Sequence, residues 1–333
     1  MDNGTFTFEL ICDKYTEDLK NKSIAPRKSY SDMVVKPSGC VLPLTFRDAV
    51  ETIRNFKVLP DDTWVVTFPK CGTTWTQEMV WLLKNNCDFE KAKAIPLLQR
   101  VPFFEFEKLT FTEDKSLDPV PPTMELTEKL ASPRCIKSHL PMELLPKQLW
   151  TVKPKIVYVA RDPRDVAISY YHHHRLWNGY QGTLEDFVDA FLNDRVVYGP
   201  YWTHLLTFMD LKDKSHILIN TYEEMKRDLP NVIRKTAKFL NVELSEKQIH
   251  DLNEHLSFKS MRSNKSVNYE ELGNEVKKLV KADETDENLN FIRKGESGGW
   301  MNAFGNDTLE KFKKWNERHL SGRDFKEYPW SLN

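Results

Sequence analysis

The chain has 333 residues, of which 40% are hydrophobic, enough for a sizeable folded core. Its 48 basic and 49 acidic residues leave a formal net charge of -1, so general nucleic-acid binding is not expected. The five cysteines include no C-x-x-C pair, which argues against a disulfide framework and a zinc site. No apolar run predicts a membrane span or a secretory signal, so we expect a cytoplasmic protein without a membrane partner.

Four short β-rich runs are separated by segments with helical periodicity. They read TWVVTF (63–68), PRCIKSH (133–139), KIVYVA (155–160) and SHILIN (215–220). Strands that alternate with helices are typical of parallel sheets. The sequence therefore predicts an α/β fold with a central parallel sheet flanked by helices.

Two stretches interrupt this pattern. Residues 111–133 are rich in proline and charge, which predicts a mobile excursion over the surface. Residues 259–290 are polar and contain few aromatic residues, so we expect a mobile segment with a helix around YEELGNEVKKLVK (269–281).

The segment TFPKCGTTW (67–75) follows the first predicted strand and leads into a predicted helix. Apolar residues recur there at i, i+4, i+7 and i+8, namely at Trp75, Met79, Leu82 and Leu83. We expect the helix to begin at Thr73 or Thr74, where free backbone N–H groups and the positive dipole end favour an anion. Gly72 permits close approach of the backbone, and Lys70 adds a charge.

This loop is not a Walker A motif, because the dipeptide Gly-Lys occurs nowhere in the chain. Its lysine precedes the glycine by two positions. The plainer alternative is an ordinary strand-to-helix turn in which a threonine caps the helix and Lys70 is solvated.

TFPKCGTTW resembles the 5′-phosphosulfate loop of the cytosolic sulfotransferases, which transfer a sulfuryl group from 3′-phosphoadenosine 5′-phosphosulfate (PAPS) to an acceptor hydroxyl or amine. Four further segments also resemble family motifs. RCIKSHLP (134–141) resembles the motif of the catalytic histidine, and YVARDPRDVAISYYHH (158–173) resembles the 3′-phosphate motif. NTYEEM (220–225) resembles the segment with an adenine contact, and RKGESGGW (293–300) resembles the RKG-x-x-G-D-W signature. The resemblance spans roughly residues 40 to 330. It implies a single P-loop-like domain over residues 1–333, with residues 1–40 as an N-terminal extension. The resemblance extends to the insect-type and retinol-dehydratase-like members of the family.

The residues that act on the acceptor are predicted from position and resemblance together. His139 follows Lys137 by two, so both side chains lie on one face if the strand continues. With an ordinary pKa near ~6.5, His139 is assigned as the general base. Lys70 and Lys137 are predicted to face the charge that develops on the sulfuryl and bridging oxygens. The resemblance adds Ser169 to this catalytic set, and we expect no metal ion, since a transferring sulfuryl group carries less negative charge than a phosphoryl group.

The resemblance also implies a nucleotide site. Trp75 and Phe258 would stack on the two faces of adenine, with Tyr222 at its edge. Arg161 and Arg293 would hold the 3′-phosphate. The plainer alternatives are a surface ion pair of Arg161 with Asp162 or Asp165 and a place in the core for Trp75. The complete implied set is Lys70, Cys71, Gly72, Thr73, Thr74, Trp75, Arg161, Ser169, Tyr222, Leu256, Ser257, Phe258, Met261, Arg293, Lys294 and Gly295.

The acceptor is predicted less sharply than the donor. RVPFFEF (100–106) is similar to the family segment that lines the acceptor pocket, which assigns Phe103 to that pocket together with His139. We expect a small hydrophobic phenol or alcohol, such as a xenobiotic, steroid-like or retinoid-like molecule. The run YHHHR (171–175) does not predict a metal site, because consecutive helical residues point about 100° apart.

Several positions depart from the family pattern. Gly299 stands where an aspartate is usual, Met301 where a lysine is common, and Leu256 where a small hydroxyl residue is usual. The short dimer motif aligns with residues 301–310, where only Glu310 is retained, so a homodimer through this motif is left open.

Three other functions are alternatives to simple sulfonation. Sulfonation of an allylic alcohol can lead to net dehydration, as in retinol dehydratase. A P-loop kinase is disfavoured by the missing Gly-Lys, and a non-catalytic binding protein would not need both Lys137 and His139. A further hypothesis concerns Cys71, whose neighbours at the strand end and helix start would lower its pKa and make the loop sensitive to oxidation.

Overall fold

The computed structural model describes residues 6–24, 31–109, 122–282, 286–323 and 330. Its strands are β1 (Thr7–Leu10), β2 (Asp32–Lys36), β3 (Cys40–Pro43), β4 (Thr63–Thr67), β5 (Cys135–Ser138), β6 (Lys155–Ala160) and β7 (Ile217–Thr221). The first three form an antiparallel sheet in the order β1-β2-β3. The other four form a parallel sheet in the order β5-β4-β6-β7.

The helices of the described ranges surround these sheets. They are α1 (Lys14–Asn21), α2 (Val50–Arg54), α3 (Thr73–Lys84), α4 (Phe89–Ala94), α5 (Leu97–Arg100), α6 (Thr123–Lys129), α7 (Leu149–Val152), α8 (Pro163–Asn178), α9 (Leu184–Leu192), α10 (Tyr201–Met209), α11 (Tyr222–Arg227), α12 (Leu229–Phe239), α13 (Glu246–His255), α14 (Phe258–Ser263), α15 (Glu270–Leu279), α16 (Trp300–Ala303) and α17 (Asn306–Leu320). Short 3-10 helices lie at Leu44–Ala49, Phe106–Lys108, Met142–Leu144 and Glu287–Leu289. None of the described helices is long and apolar enough to cross a membrane.

The predicted parallel sheet is confirmed, because the four β-rich runs form β4 to β7. Its two faces belong to separate apolar clusters, as the two-residue period of a strand requires. Val65 packs with Met79 of α3 in one cluster. Val66 packs with Val166 and Tyr170 of α8 in the other. Helices on both faces explain why β4 is buried along its whole length.

The two stretches predicted to be mobile contain helices. In the first, residues 122–133 include α6, whereas residues 111–121 lie outside the described ranges. In the second, α15 coincides with the helix predicted around residues 269–281, and residues 283–285 lie outside the described ranges. The mobility of both stretches stays a prediction.

Candidate active site

The predicted site residues meet at one edge of the parallel sheet. The carboxyl ends of parallel strands lie on the same side, where ligands bind in open α/β folds. The residues that follow the strand ends there are Lys70 after β4, His139 after β5, Arg161 after β6 and Tyr222 after β7. A cavity of about 1190 Å³ opens at this edge, and all four side chains line it.

The loop between β4 and α3 is shaped by Gly72. Its φ of +99° is a left-handed conformation, and a Cβ there would lie 2.9 Å from the ring of Tyr222. Helix α3 begins at Thr73, as predicted, and no side chain caps it. The threonine cap proposed as the plainer alternative is therefore absent: the Thr73 hydroxyl lies 2.7 Å from that of Thr67. The uncapped N–H groups suit an anion.

His139 is held in one tautomer by the end of β4. Its Nδ1 lies 2.8 Å from the carbonyl oxygen of Thr67. Because a carbonyl only accepts, Nδ1 carries the hydrogen and Nε2 carries the lone pair. Burial, together with the nearby Lys137, holds the pKa of His139 well below its usual range, so the ring is neutral at pH 7. Among the described residues, Nε2 has no partner.

The carboxylate of Glu105 is hydrogen-bonded to the backbone of His139. Its Oε1 accepts the backbone N–H of His139 at 2.7 Å and the hydroxyl of Tyr198 at 3.1 Å. Burial raises the pKa of this carboxyl to about 7. Glu105 was not predicted as a site residue, although a charged residue inside the apolar run VPFFEF is a signal that could have identified it.

Phe103 lies beside Lys137 because the chain runs parallel to β5 at this point. The N–H of Phe104 donates to the carbonyl of Lys137 at 2.8 Å, and the N–H of Lys137 donates to that of Pro102 at 2.9 Å. The Lys137 ammonium lies 3.7 Å from the centre of the Phe103 ring. Burial lowers the pKa of Lys137 to about 8.

Lys70 occupies a strained position beside other cations. Its φ is +70°, and its ammonium lies 4.6 Å from the centre of the Phe291 ring. Burial, followed by repulsion from Lys137, Arg161 and Arg293, lowers the pKa of Lys70 to about 7. A site with this charge arrangement is poised to receive an anion.

Arg161 does not form the ion pair considered above. Its guanidinium donates to the carbonyls of Lys70 at 3.1 Å and Glu296 at 2.8 Å, and its buried Nε has no partner among the described residues. The neighbouring carboxylate, Asp162, pairs with Arg164 at 2.8 Å. Arg161 therefore keeps its charge available to the cavity, where its guanidinium lies 4.1 Å from the centre of the Tyr222 ring.

The base-binding side of the cavity is built from aromatic rings and a close glycine. Gly295 has φ +64°, and a Cβ there would lie 2.3 Å from the Phe258 ring, so only glycine lets the loop lie against that ring. The rings of Trp75 and Tyr222 have centroids 5.7 Å apart and meet edge to face. All four residues line the cavity, so aromatic faces are available there to a planar group.

Nearly all of the predicted site residues line the cavity. Those that line the cavity are Lys70, Gly72, Thr73, Thr74, Trp75, Phe103, Lys137, His139, Arg161, Ser169, Tyr222, Leu256, Ser257, Phe258, Met261, Arg293, Lys294 and Gly295. Cys71 is the exception, because its side chain is buried in the core and does not line the cavity. The hypothesis that its pKa is lowered is wrong: burial raises the pKa of the thiol.

Many other lining residues were not predicted, among them His172, His173 and Phe291. His172 and His173 of YHHHR were considered only as metal ligands, yet both line the cavity, as does Phe291. The spacing of His172 and His173 from Ser169, at i+3 and i+4, is a signal that could have placed them on the same helix face. Within the described ranges, no group of three or more His, Cys, Asp or Glu could hold a metal ion.

The chain is similar to known sulfotransferases. A family model described as "Sulfotransferase domain" matches residues 60–324. The chain is 39% identical to luciferin sulfotransferase of Photinus pyralis over 85% of this chain and 78% of that protein. It is 35% identical to sulfotransferase 1 family member D1 of Rattus norvegicus, over 84% of this chain and 90% of that protein.

Solved structures agree with these relatives. Retinol dehydratase in complex with androsterone and inactive cofactor PAP superposes with a TM-score of 0.86 and 27% identity, over 98% of this chain and 99% of that one. Its complex with retinol and PAP gives a TM-score of 0.85 and 28% identity over the same shares. The family resemblance of the motifs is thus confirmed: the chain belongs to the cytosolic sulfotransferase family and is a PAPS-dependent sulfotransferase.

Proposed function

We propose that this cavity transfers a sulfuryl group from PAPS to the hydroxyl of a small hydrophobic acceptor, with His139 as the general base. The observation that carries the assignment is the 2.8 Å contact of His139 Nδ1 with the Thr67 carbonyl. It leaves Nε2 as the proton acceptor. A neutral ring is ready to take the proton of an acceptor hydroxyl, and such help typically contributes ~10²–10⁴-fold.

The residues present fit PAPS as the donor. PAPS supplies the sulfuryl group and, as its leaving group, a bisphosphate whose negative charge needs cations. Lys70, Lys137, Arg161 and Arg293 gather at the cavity, and none of them forms an ion pair with a carboxylate among the described residues. The orphaned Nε of Arg161 is a buried donor that an anion would satisfy.

In this proposal two of the cations bind the 3′-phosphate and the other two act where the sulfuryl group is transferred. Arg161 and Arg293, with Ser169, hold the 3′-phosphate, because guanidinium groups bind phosphate through two donors. Lys70 and Lys137 stabilise the charge that develops where the sulfuryl group leaves its bridging oxygen. Phe258 and Trp75 stack on adenine, and the backbone of Gly295 lies against the Phe258 ring.

The acceptor side supports a hydrophobic alcohol or phenol. Phe103 and Phe106 stack with ring centroids 5.2 Å apart, and Phe103 meets the His139 ring edge to face at 5.1 Å. Such a wall binds a flat apolar molecule and directs its hydroxyl toward His139. The names of the related proteins, which mention luciferin, androsterone and retinol, are consistent with this class.

The test is transfer of label from PAPS to a panel of phenols, steroids and retinoids. His139→Asn keeps a donor for the Thr67 carbonyl but removes the base, so turnover should fall ~10²–10⁴-fold while adenosine 3′,5′-bisphosphate (PAP) still binds. Arg161→Met is the matched control, since it should weaken PAP binding without removing the base. Equal turnover in His139→Asn and the unmodified protein would contradict the proposal.

A second candidate is sulfonation followed by loss of sulfate, giving net dehydration. The observation that favours it is the superposition on retinol dehydratase over 98% of the chain. On an allylic alcohol, sulfate is a good leaving group, and its departure removes the elements of water overall. Mass spectrometry of the product from retinol distinguishes a sulfate ester from a dehydrated hydrocarbon.

Three organisational predictions complete the proposal. We infer a single sulfotransferase domain over residues 1–333, with residues 1–40 as its N-terminal extension, and a cytoplasmic location. A homodimer through residues 301–310 stays open, and light scattering of the purified protein tests it.

A further inference from the structure

A buried tyrosine links the base to the carboxylate behind it. The hydroxyl of Tyr198 donates to Oε1 of Glu105 at 3.1 Å, and the same oxygen accepts the backbone N–H of His139 at 2.7 Å. The ring of Tyr198 also meets the His139 ring edge to face, with centroids 5.4 Å apart. Tyr198 therefore acts on His139 in two ways, directly through its ring and indirectly through Glu105.

The backbone of Tyr198 is held in an unusual conformation. Its φ of +68° lies in the left-handed region, where bulky side chains are rare, and such strain persists only where the surrounding structure maintains it. Val41 of β3 does so, because its carbonyl accepts the N–H of Tyr198 at 2.8 Å and its N–H donates to the carbonyl of Gly199 at 2.8 Å. The antiparallel sheet, which contributes none of the predicted site residues, thereby fixes the backbone that carries this ring and hydroxyl.

The groups around Glu105 make its charge depend on the tyrosine hydroxyl. Burial raises the pKa of Glu105 to about 7, although the N–H of His139 and the ammonium of Lys137 favour the charged form. Burial also raises the pKa of Cys40 in β3 and of Tyr198 well above their usual ranges, so both are neutral. The Tyr198 hydroxyl is thus a donor at neutral pH, and a donor to a carboxylate stabilises its charged form.

We propose that Tyr198 is a positioning residue for sulfuryl transfer, which keeps the His139 imidazole in place through its ring and through its hydrogen bond to Glu105. This inference rests on the proposed function and deepens it by naming what holds the base. An ionised carboxylate accepts the N–H of His139 more strongly than a neutral carboxyl does, so full turnover should need Glu105 ionised. The acid limb of the kcat profile, expected at a pH of about 7, then belongs to Glu105, because the pKa of His139 lies well below its usual range.

The test is the pH profile of kcat, measured with PAPS and the acceptor that the panel identifies, in the unmodified protein and in Tyr198→Phe. The variant keeps the ring but loses the donor, so kcat at its plateau should fall about tenfold, while the Kd of PAP should change by less than about twofold. Its acid limb should move upward by about one pH unit, since the charged form of Glu105 has lost a hydrogen bond. Glu105→Gln, which keeps an oxygen acceptor but cannot ionise, should remove this limb.

Tyr170→Phe is the matched control, because it removes an equally buried hydroxyl that donates to the carbonyl of Val197 at 3.0 Å rather than to Glu105. It should leave the acid limb where it is. Infrared spectra of the protonated carboxyl, assigned with Glu105→Gln, follow the same titration without turnover.

Three results would overturn the positioning role. They are an acid limb that does not move in Tyr198→Phe, even where kcat falls, a limb that persists in Glu105→Gln, and a limb that Tyr170→Phe moves equally far. A titration of Glu105 that shifts in Tyr198→Phe, without any label transfer by the unmodified protein, would instead contradict the proposed function.

Discussion

The two halves of the cavity are built in different ways. The half proposed for the donor is assembled from short motifs at the strand ends and on the facing loops, namely residues 70, 72–75, 161, 222, 256–258 and 293–295. The half proposed for the acceptor is assembled from single side chains on separate segments, namely Phe103, Phe106, His139 and Tyr198. The first half depends on backbone conformation and charge, which short motifs specify. The second depends on which distant segments pack together.

The largest effect is expected from a buried ion-pair network next to the donor half of the cavity. Glu78 of α3 lies 2.7 Å from Arg100 and 2.8 Å from His255, and Glu78 and Arg100 are almost fully buried. His255 ends α13, directly before the segment that contains Phe258. This network therefore connects α3, which follows the loop that contains Lys70 and Gly72, to the segment that contains Phe258.

Glu78→Gln should lower the free energy of unfolding by about 3–5 kcal/mol, because it leaves Arg100 buried without its counter-charge. Denaturant unfolding measures this change, and PAP binding should weaken more than acceptor binding. The control is Asp251→Asn, which breaks an exposed ion pair between Asp251 and Lys247 of α13 and should have little effect on either measurement. Equal stability of the two variants would refute the supporting role.

A pair of aromatic truncations tests the separation of the halves directly. Phe103→Ala should raise the acceptor KM about tenfold, since it removes an apolar wall and the ring under Lys137, and should leave the Kd of PAP unchanged. Phe258→Ala should give the reverse pattern, because its ring lies against Gly295 on the nucleotide side. If both variants changed both constants alike, the division into halves would not hold.

A smaller effect is expected from pH. In the free protein the pKa is lowered to about 7 for Lys70 and about 8 for Lys137, mainly by burial. A bound bisphosphate favours the charged forms, so binding takes up protons and the affinity for PAP falls as pH rises through this range. Between about pH 6 and about pH 9, each proton taken up on binding raises the Kd of PAP by at most about tenfold for each unit of pH.

Calorimetry in buffers of different ionisation enthalpy measures the proton uptake. Lys70→Met should remove part of that uptake and flatten the pH dependence, although binding is weaker throughout. An affinity independent of pH in the unmodified protein, or an unchanged slope in Lys70→Met, would show that these lysines do not carry the effect.

The smallest effect concerns Cys71. Because its thiol is buried and burial raises its pKa, peroxide and thiol-blocking reagents should leave the loop unmodified and the activity intact. Cys12, which is exposed, is the internal control and should be labelled first in a mass spectrum. Labelling of Cys71 before Cys12, with loss of activity prevented by Cys71→Ser, would contradict this expectation.

The parallel sheet and the residues proposed to bind the donor could be predicted from the amino-acid sequence. Four β-rich runs became β4 to β7, and the start of α3 was predicted because glycine, threonine and an apolar helical period are local signals. The family motifs then indicated which side chains follow the strand ends. These properties depend on contacts within a few residues, so a single sequence carries them.

The environment of the reacting groups could not be predicted, because it depends on contacts between residues that are distant in the sequence. The bond from His139 to Thr67 spans 72 residues, and Glu105 reaches His139 across 34. Likewise, the burial that raises the pKa of Cys71, and the packing that leaves the Nε of Arg161 without a partner, result from segments that are distant in the sequence. Tautomer, pKa and hydrogen-bond satisfaction are properties of a surrounding, and that surrounding exists only once the chain is folded.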